Sequence, residues 1–385
     1  MSAATIVVGW DIGGANLKAV RLDGDEVLGF VTRPFELWRA PDDLAAEIRH
    51  AGRELRIGPN ARHAITMTAE LADCYRTKSE GVRAVLAAHA EAFPDDERRV
   101  LEVEGSFVGV EAAIGTPLSV AGANWMASAA WLASESASPD TRASPGSTPL
   151  PDRRAGPAIL LDVGSTTTDV IPFEAGRVLA AGRTDPERLS LRELVYTGAS
   201  RTPLCAVMET APFRGAECPV AAEHFAIAAD AHLWLGDLAP AAYACPTPDG
   251  GPADRAGAGA RLARMVCADA EMLGEAEISA IARRAADRQV DAIASALQRV
   301  AARLVERARR ASIHPDLPAA NGFPAVIAGS GAWLGEAAAR RAGLNVELLG
   351  ERLGILATLL PAYGAARLLQ ERDHESPLGR GLHVP

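Results

Sequence analysis

The sequence predicts an α/β protein built from a duplicated domain, with two similar loops facing each other across a cleft. The first observation is the segment 158–173, where two apolar runs flank the polar stretch Asp-Val-Gly-Ser-Thr-Thr-Thr in a pattern typical of a β-hairpin. The second is its copy: residues 10–33 align without a gap on residues 161–184, and Asp162 lies 151 positions after Asp11. Two such loops in register favour a duplication over two unrelated hairpins.

The remaining elements follow in an order that suits such a duplication. Each copy opens with three strands, and the first continues into an amphipathic helix at 41–57 with Leu44, Ile48 and Leu55 at helical spacing. A long Ala/Arg-rich helix in the second copy carries an apolar stripe that predicts a core-facing surface. We predict strands at 5–10, 17–22, 27–32, 63–68, 99–105, 324–328 and 344–349, helices at 81–93, 121–132, 221–235, 260–273, 277–311 and 361–370, and a loop at 109–115.

A Ser/Pro-rich segment separates the two copies. Residues 134–156 show no periodicity, and we expect them to form a mobile surface insertion. The predicted domains are therefore 1–133 and 157–385, with the final helix packing back toward the first domain and a frayed tail after Asp373.

Composition narrows the class of protein. The 385 residues are 48% hydrophobic, and the net charge of −10 argues against nucleic acid as a partner. No basic leader or membrane-length apolar run is present, and the five cysteines are scattered without a C-x-x-C pair. We expect a cytoplasmic protein with reduced thiols that acts on small molecules without binding a membrane, and a homo-oligomer remains possible.

The two Asp-x-Gly loops offer backbone N–H groups and hydroxyls to an anion. Asp11 and Asp162, each at a strand end, are placed to hold a cation against that anion, and phosphate with Mg²⁺ is the natural pairing. A late strand, Gly-Ser-Gly turn and helix start at 324–334 predict a third loop that faces an anion or a nucleotide.

Lysine is rare in this arginine-rich chain. Of 39 basic residues only Lys18 and Lys78 are lysines, and Lys18 follows the first loop, where an ammonium suits phosphate. Lys78 lies in a polar stretch after a predicted buried strand, the usual position of ligand-binding residues in α/β sheets. There, Glu70, Asp73 and Cys74 share a face if a helix begins at Glu70, although a solvated helix start explains the same acidic residues.

Three further polar residues are substrate-binding candidates. Asn124 opens the helix at 121–132 and either caps it or points into the cleft. Arg201 and Thr202 follow a glycine turn and suit an anionic substrate, with a surface arginine as the alternative.

The combination of motifs resembles the actin, sugar-kinase and heat-shock-chaperone superfamily, whose fold is a duplicated actin-like (ribonuclease H-like) ATPase fold. DIGG and DVGSTTTDV are similar to its hydantoinase/oxoprolinase-like branch. DIGGANLK, TMTAELADCYRTKSEGV, ANW, TGASRTPL and AGSGAWL resemble one subgroup more closely, the methanofuran/methylofuran-biosynthesis synthases linked to tetrahydromethanopterin-dependent C1 transfer. The resemblance covers nearly the whole chain except the Ser/Pro-rich segment.

This resemblance implies a transferase. An aminomethyl-furanylmethyl diphosphate condenses with the phenol of γ-glutamyltyramine, forming an aryl ether and releasing diphosphate, without a need for ATP. The loops would then bind the leaving group through Asp11, Gly13, Gly14, Asn16, Lys18, Gly164, Ser165, Thr166, Thr167, Thr168, Gly329, Ser330 and Gly331.

In the same scheme Asp11 and Asp162 hold Mg²⁺, and Lys18 stabilises the departing charge. Asp169 or Glu70 is the candidate base for the phenol. Glu70, Asp73, Lys78, Asn124, Arg201 and Thr202 are the candidate substrate-binding residues.

Two other functions are consistent with the same motifs. One is an ATP-dependent hydantoinase/oxoprolinase-type amidohydrolase or small-molecule kinase, and the other is a non-enzymatic nucleotide-switched module. Diphosphate release without ATP consumption separates the synthase from both.

Overall fold

The computed structural model describes residues 6–137, 156–174, 176–311 and 323–375. Most of the predicted insertion at 134–156 and the end of the predicted frayed tail lie outside the described residues. The strands are β1 (Val7–Ile12), β2 (Asn16–Asp23), β3 (Glu26–Pro34), β4 (Arg62–Met67), β5 (Glu97–Leu101), β6 (Phe107–Gly109), β7 (Ala158–Val163), β8 (Thr168–Glu174), β9 (Arg177–Val178), β10 (Leu194–Val195), β11 (Thr210–Phe213), β12 (Ala216–Pro219), β13 (Pro324–Ala328) and β14 (Asn345–Leu348).

Eleven α-helices are assigned within the same ranges. They are α1 (Leu44–Glu54), α2 (Lys78–Ala92), α3 (Val110–Gly115), α4 (Asn124–Ala137), α5 (Asp185–Leu191), α6 (Ala228–Leu235), α7 (Arg255–Arg264), α8 (Glu275–Ala311), α9 (Ala332–Arg341), α10 (Gly350–Leu353) and α11 (Leu360–Glu375).

Two sheets with related topology form the centre of the molecule. The first has the strand order β3-β2-β1-β4-β5-β6, and the second has β10-β8-β7-β13-β14, with β9 on β8. In each sheet the first strand pairs antiparallel with the second and parallel with a later strand that follows a helical segment. This repeated arrangement confirms the predicted duplicated, actin-like α/β fold.

The duplication extends to the register of individual residues. Val7 pairs with Leu22 in the first hairpin, and Ala158 pairs with Phe173 in the second. The same 151-residue offset carries the pair Asp11 and Lys18 onto the pair Asp162 and Asp169. The ungapped alignment predicted from the sequence therefore matches the register of the first hairpin in each sheet.

Several local predictions are wrong. Residues 109–115 are not a loop, because Gly109 ends β6 and the following residues form α3 around the buried Ala113. No helix runs from Glu70 to Cys74: a 3₁₀ turn covers Ala69–Leu71, and α2 begins later, where the Thr77 hydroxyl accepts the Glu80 backbone N–H.

Differences in the second half concern shorter elements. Helix α6 begins at Ala228 rather than 221, and α7 spans Arg255–Arg264 rather than 260–273. The helix α5 and the hairpin of β11 and β12 have no counterpart in the sequence prediction. Short elements of this kind carry little periodicity from which to predict them.

The final helix packs onto the first half of the chain. Helix α11 lies against β1 and α4, and its apolar residues join those of both sheets in one hydrophobic cluster. The approach is close at Gly9, where an added Cβ would lie 1.9 Å from the Ala362 carbonyl oxygen. The absence of a side chain at Gly9 therefore allows the helix to pack this closely against the strand.

Among the described residues, no single helix is long and apolar enough to cross a membrane. One bent pair, 350–358 with 360–372, meets the criterion by length and composition only.

Candidate active site

The two Asp-x-Gly loops fold into the same turn. In the first, the Gly13 N–H donates to the Asn16 carbonyl over 2.9 Å, and in the second the Gly164 N–H donates to Thr167 over the same distance. The N–H groups of the next two residues in each turn donate to no acceptor within the described chain; they are those of Gly14, Ala15, Ser165 and Thr166. Each turn thus presents a pair of free donors to an anion.

Carboxylates and one ammonium stand beside these turns. The Lys18 Nζ lies 4.0 Å from the Asp11 carboxylate and donates to the Thr358 carbonyl over 3.1 Å. Burial raises the pKa of Asp11, and Lys18 opposes that rise. Burial together with the charge of Asp169 raises the pKa of Asp162 to about 7, against the pull of Lys18. The structure therefore brings the predicted Asp11, Lys18, Asp162 and Asp169 into one electrostatic group.

The residues fit a magnesium ion that is shared with a ligand. Asp11 Oδ1 is buried without a hydrogen-bond partner, and the Asp162 carboxylate accepts no hydrogen bond within the described residues. No group of three or more potential ligand side chains occurs in that part of the chain. One or two carboxylates completed by water and substrate phosphate is the usual arrangement for Mg²⁺.

Asp169 belongs to a buried ion pair. The Arg188 guanidinium donates to Asp169 Oδ1 over 2.7 Å and to the Glu193 carbonyl over 3.0 Å. Its other side faces the Trp125 ring, with the guanidinium carbon 4.4 Å from the ring centroid. Burial raises the pKa of Asp169 and Arg188 lowers it. The predicted Asn124 begins α4 beside that tryptophan, and its amide has no protein partner in the described ranges.

A second ionic cluster joins the two halves of the chain. The Lys78 Nζ lies 2.5 Å from Asp185 Oδ2 in the second half and 3.6 Å from Glu70 Oε1 in the first. Glu70 is 1% exposed, its Oε2 atom has no hydrogen-bond partner among the described residues, and burial raises its pKa to about 7. A buried carboxylate with one free oxygen that titrates near neutrality is suited to proton transfer.

A cavity of about 280 Å³ opens between the two turns. Asn16 borders it from the first turn and Ser165 from the second. Arg201 lines the cavity as well, and its backbone N–H donates to the Ser165 carbonyl over 2.8 Å. The predicted substrate residue Arg201 therefore lies at the cleft.

Other predicted residues have a different environment. The hydroxyls of Thr168 and Thr202 are buried and bond the segment 197–198, and the N–H groups of Gly329 and Gly331 donate to Ala357 and Val163. All of these groups already have hydrogen-bond partners within the protein, so they are not free to bind a ligand. Asp73 is exposed and has no partner among the described residues.

Ser330 is exposed at the tip of the third turn. An added Cβ at Gly329, where φ is +90°, would lie 2.5 Å from Asp162 Oδ1. Glycine is required there because both the conformation and the contact exclude a side chain.

Sequence reasoning missed several residues of the site. Asp185 and Arg188 lie on α5, whose start is marked by a Thr184 capping box that is visible in the sequence as Thr-Asp-Pro-Glu. Gln289 on α8 donates to Thr197 Oγ1 and to the Gly198 carbonyl, and only the fold brings it there. Glu36 and Cys245 on the cavity wall carried no sequence signal.

Comparison with known proteins assigns the family. The model of the hydantoinase/oxoprolinase family matches residues 62–372. The chain belongs to this family. A protein from Methanocaldococcus jannaschii is 34% identical over 298 residues, which are 77% of this chain and 82% of that protein. It is named (4-{4-[2-(gamma-L-glutamylamino)ethyl]phenoxymethyl}furan-2-yl)methanamine synthase. This hydantoinase/oxoprolinase chain is also 40% identical over 119 residues to a Methanococcus vannielii protein of the same name, spanning 31% of this chain and 53% of that protein.

Solved structures with a similar arrangement come from several kinds of protein. The nucleotide-free acetone carboxylase has a TM-score of 0.47 and 13% identity, covering 94% of this chain and 70% of that chain. A ROK family glucokinase from Streptomyces griseus has a TM-score of 0.42 and 13% identity, covering 95% and 99%.

Proposed function

We propose that this chain is a synthase of methanofuran/methylofuran biosynthesis. It joins an aminomethyl-furanylmethyl diphosphate to the phenol of γ-glutamyltyramine and releases diphosphate. The observation that carries the proposal is the pair of facing turns with free N–H groups, flanked by Lys18, in a chain 34% identical to a protein named for the aryl-ether product.

Backbone N–H groups and one ammonium of this chain can stabilise the negative charge that develops on the departing diphosphate. As the bond between the furanylmethyl carbon and the diphosphate oxygen breaks, the electron pair leaves with diphosphate. The N–H groups of Gly14, Ala15, Ser165 and Thr166 and the ammonium of Lys18 are preorganised donors for that charge. Mg²⁺ held by Asp11 and Asp162 would supply further neutralisation of the diphosphate.

The attacking phenol needs a proton acceptor. We assign this role to Glu70, because its Oε2 is free and its pKa of about 7 lets it accept a proton near neutral pH. Asp169 is the weaker candidate, since Arg188 neutralises it and occupies one of its oxygens. The phenol oxygen then forms the ether bond to the furanylmethyl carbon, and its proton passes to Glu70.

A direct assay tests the proposal. Purified protein is given the furanylmethyl diphosphate with and without γ-glutamyltyramine, and diphosphate release is followed beside ATP hydrolysis. Phenol-dependent release without ATP consumption is the expected result. ATP hydrolysis without diphosphate chemistry would instead identify an ATP-dependent amidohydrolase or kinase, an alternative that the family keeps open.

We also propose a cytoplasmic location. All five cysteines are free thiols, which suits a reducing compartment.

A further inference from the structure

The cavity between the turns carries two opposite charges that do not neutralise each other. Glu36 and Arg201 both line it, and no ion pair joins them. Glu36 has one carboxylate oxygen 3.1 Å from the Nε of Arg39, an arginine whose side chain is 66% exposed. Water screens the pair on its exposed arginine side and lowers the energy that it contributes, so Glu36 remains available to a cationic ligand group.

The Arg201 guanidinium is held in place without using its donors. Its central carbon lies 4.8 Å from the centroid of the Trp38 ring, and it donates no hydrogen bond within the described residues. Stacking on an aromatic ring orients the guanidinium fork and leaves its N–H groups free for a carboxylate.

A ligand that carries a carboxylate and an ammonium close together matches this cavity. The name of the 34% identical relative contains a γ-L-glutamylamino group, which is linked through its side-chain carbonyl and therefore retains a free α-amino acid end. On the proposed function that group belongs to the phenol substrate. The phenol ring carries neither charge, and the furan substrate carries its ammonium with a diphosphate instead of a carboxylate.

We propose that the cavity is the binding site for the α-amino acid end of γ-glutamyltyramine, with Arg201 pairing the carboxylate and Glu36 the ammonium. This inference rests on the proposed function. The thiol of Cys245 lies on the same wall, and burial raises its pKa, so it adds a neutral surface. Ser165 belongs to both the cavity and the second turn, which places this subsite next to the diphosphate donors.

The competing occupant is the furanylmethyl diphosphate, whose aminomethyl group is also cationic and whose diphosphate is anionic. The two assignments differ in which KM responds to each substitution. Steady-state kinetics of Arg201→Gln and Glu36→Gln are therefore measured with each substrate varied in turn. Arg214→Gln is the matched control for the arginine, because Arg214 stacks on Phe213 away from the cavity, and Glu91→Gln on the exposed face of α2 is the control for the carboxylate.

We expect each cavity variant to raise the KM for γ-glutamyltyramine about 10- to 100-fold, the effect of losing a hydrogen bond to a charged group. The KM for the diphosphate substrate and the kcat stay close to wild type. N-acetyltyramine keeps the phenol and the amide but lacks the amino acid end, so its KM is high in the wild type and unchanged in both cavity variants. The two control variants behave as wild type with both substrates.

Three results would overturn the inference. An increase confined to the KM of the diphosphate substrate would assign the cavity to that substrate. An unchanged KM for both substrates would show that neither Arg201 nor Glu36 contributes to binding. Absence of turnover by the wild type would reject the proposed function and this inference with it. Turnover by the wild type with unchanged KM values in the variants would reject the inference alone. Melting curves, and Arg201→Lys with an intermediate effect on the same KM, distinguish lost recognition from lost folding.

Discussion

At the scale of single residues, the proposed function assigns Lys18 to the diphosphate leaving group. Its ammonium lies between the Asp11 carboxylate and the Thr358 carbonyl. We predict that Lys18→Ala lowers turnover roughly 10²- to 10³-fold, because a preorganised charge beside the leaving group is lost. Diphosphate release under saturating substrate measures the effect. The exposed Arg53→Ala serves as the control, and unchanged turnover of the lysine variant would contradict the leaving-group role.

The raised pKa of Glu70 predicts that the free energy of unfolding depends on pH. Its pKa is raised by burial to about 7, so the folded state binds its proton more tightly than the unfolded chain, and this contribution to stability is lost as the pH rises through 7. Glu70→Gln does not titrate. Its free energy of unfolding relative to wild type should therefore rise by about 2 to 3 kcal/mol between pH 5 and pH 8.

Urea titrations at several pH values measure this difference, with Glu91→Gln as the exposed control on the same first half. Kinetics supply a second readout. Wild-type turnover should increase with pH through about 7, and Glu70→Gln should lose about 10²- to 10⁴-fold. Full activity of Glu70→Gln would show that another group acts as the base.

At the scale of elements, the contact of α11 with β1 depends on the absence of a side chain. An added Cβ at Gly9 overlaps the Ala362 carbonyl, and both belong to regular elements with little freedom to move. We predict that Gly9→Ala destabilises the fold by about 1 to 3 kcal/mol or more. Gly58→Ala, where an added Cβ meets nothing within 4 Å, should stay within about 1 kcal/mol of wild type. Equal denaturation midpoints for the two variants would show that α11 adjusts freely.

The two copies of the strand-turn-strand element differ in the charge of one equivalent residue. At equivalent positions the first copy has Lys18 opposite Asp11, and the second has Asp169 opposite Asp162. One turn thus brings a cation to its carboxylate, while the other brings a second carboxylate that requires Arg188 as its partner. The first hairpins of the two halves share their register but carry opposite charges at the position of Lys18 and Asp169.

At the scale of the whole molecule, ligand binding between the halves should stabilise the fold. The Asp11 Oδ1 atom is buried and has no hydrogen-bond partner among the described residues, and burial raises the pKa of Asp162 to about 7, so both carboxylates gain from a bound cation. We therefore predict that Mg²⁺ and diphosphate together raise the melting temperature, by the equivalent of about 2.7 kcal/mol at one hundred times the Kd. Asp11→Asn and Asp162→Asn should abolish the effect, while the exposed Asp95→Asn should retain it. An equal shift in all four proteins would place the ion elsewhere.

The sequence by itself determined the duplicated fold, because each copy repeats a local pattern of apolar runs, an Asp-x-Gly turn and β-branched residues. That same pattern located Asp11, Lys18, Asp162 and both turns. These features are local in the chain, and because the domain is duplicated, the strand-turn-strand pattern occurs twice.

Only the tertiary structure decided the rest of the site. Lys78 donates to Asp185 across 107 residues. Arg188 on α5 donates to Asp169, and Gln289 on α8 donates to Thr197 and Gly198. Thr168 and Thr202 look like ligands in sequence, yet the fold buries their hydroxyls against the backbone. Burial and long-range contact set the charge state and the availability of a group, and both depend on which distant segments pack beside it.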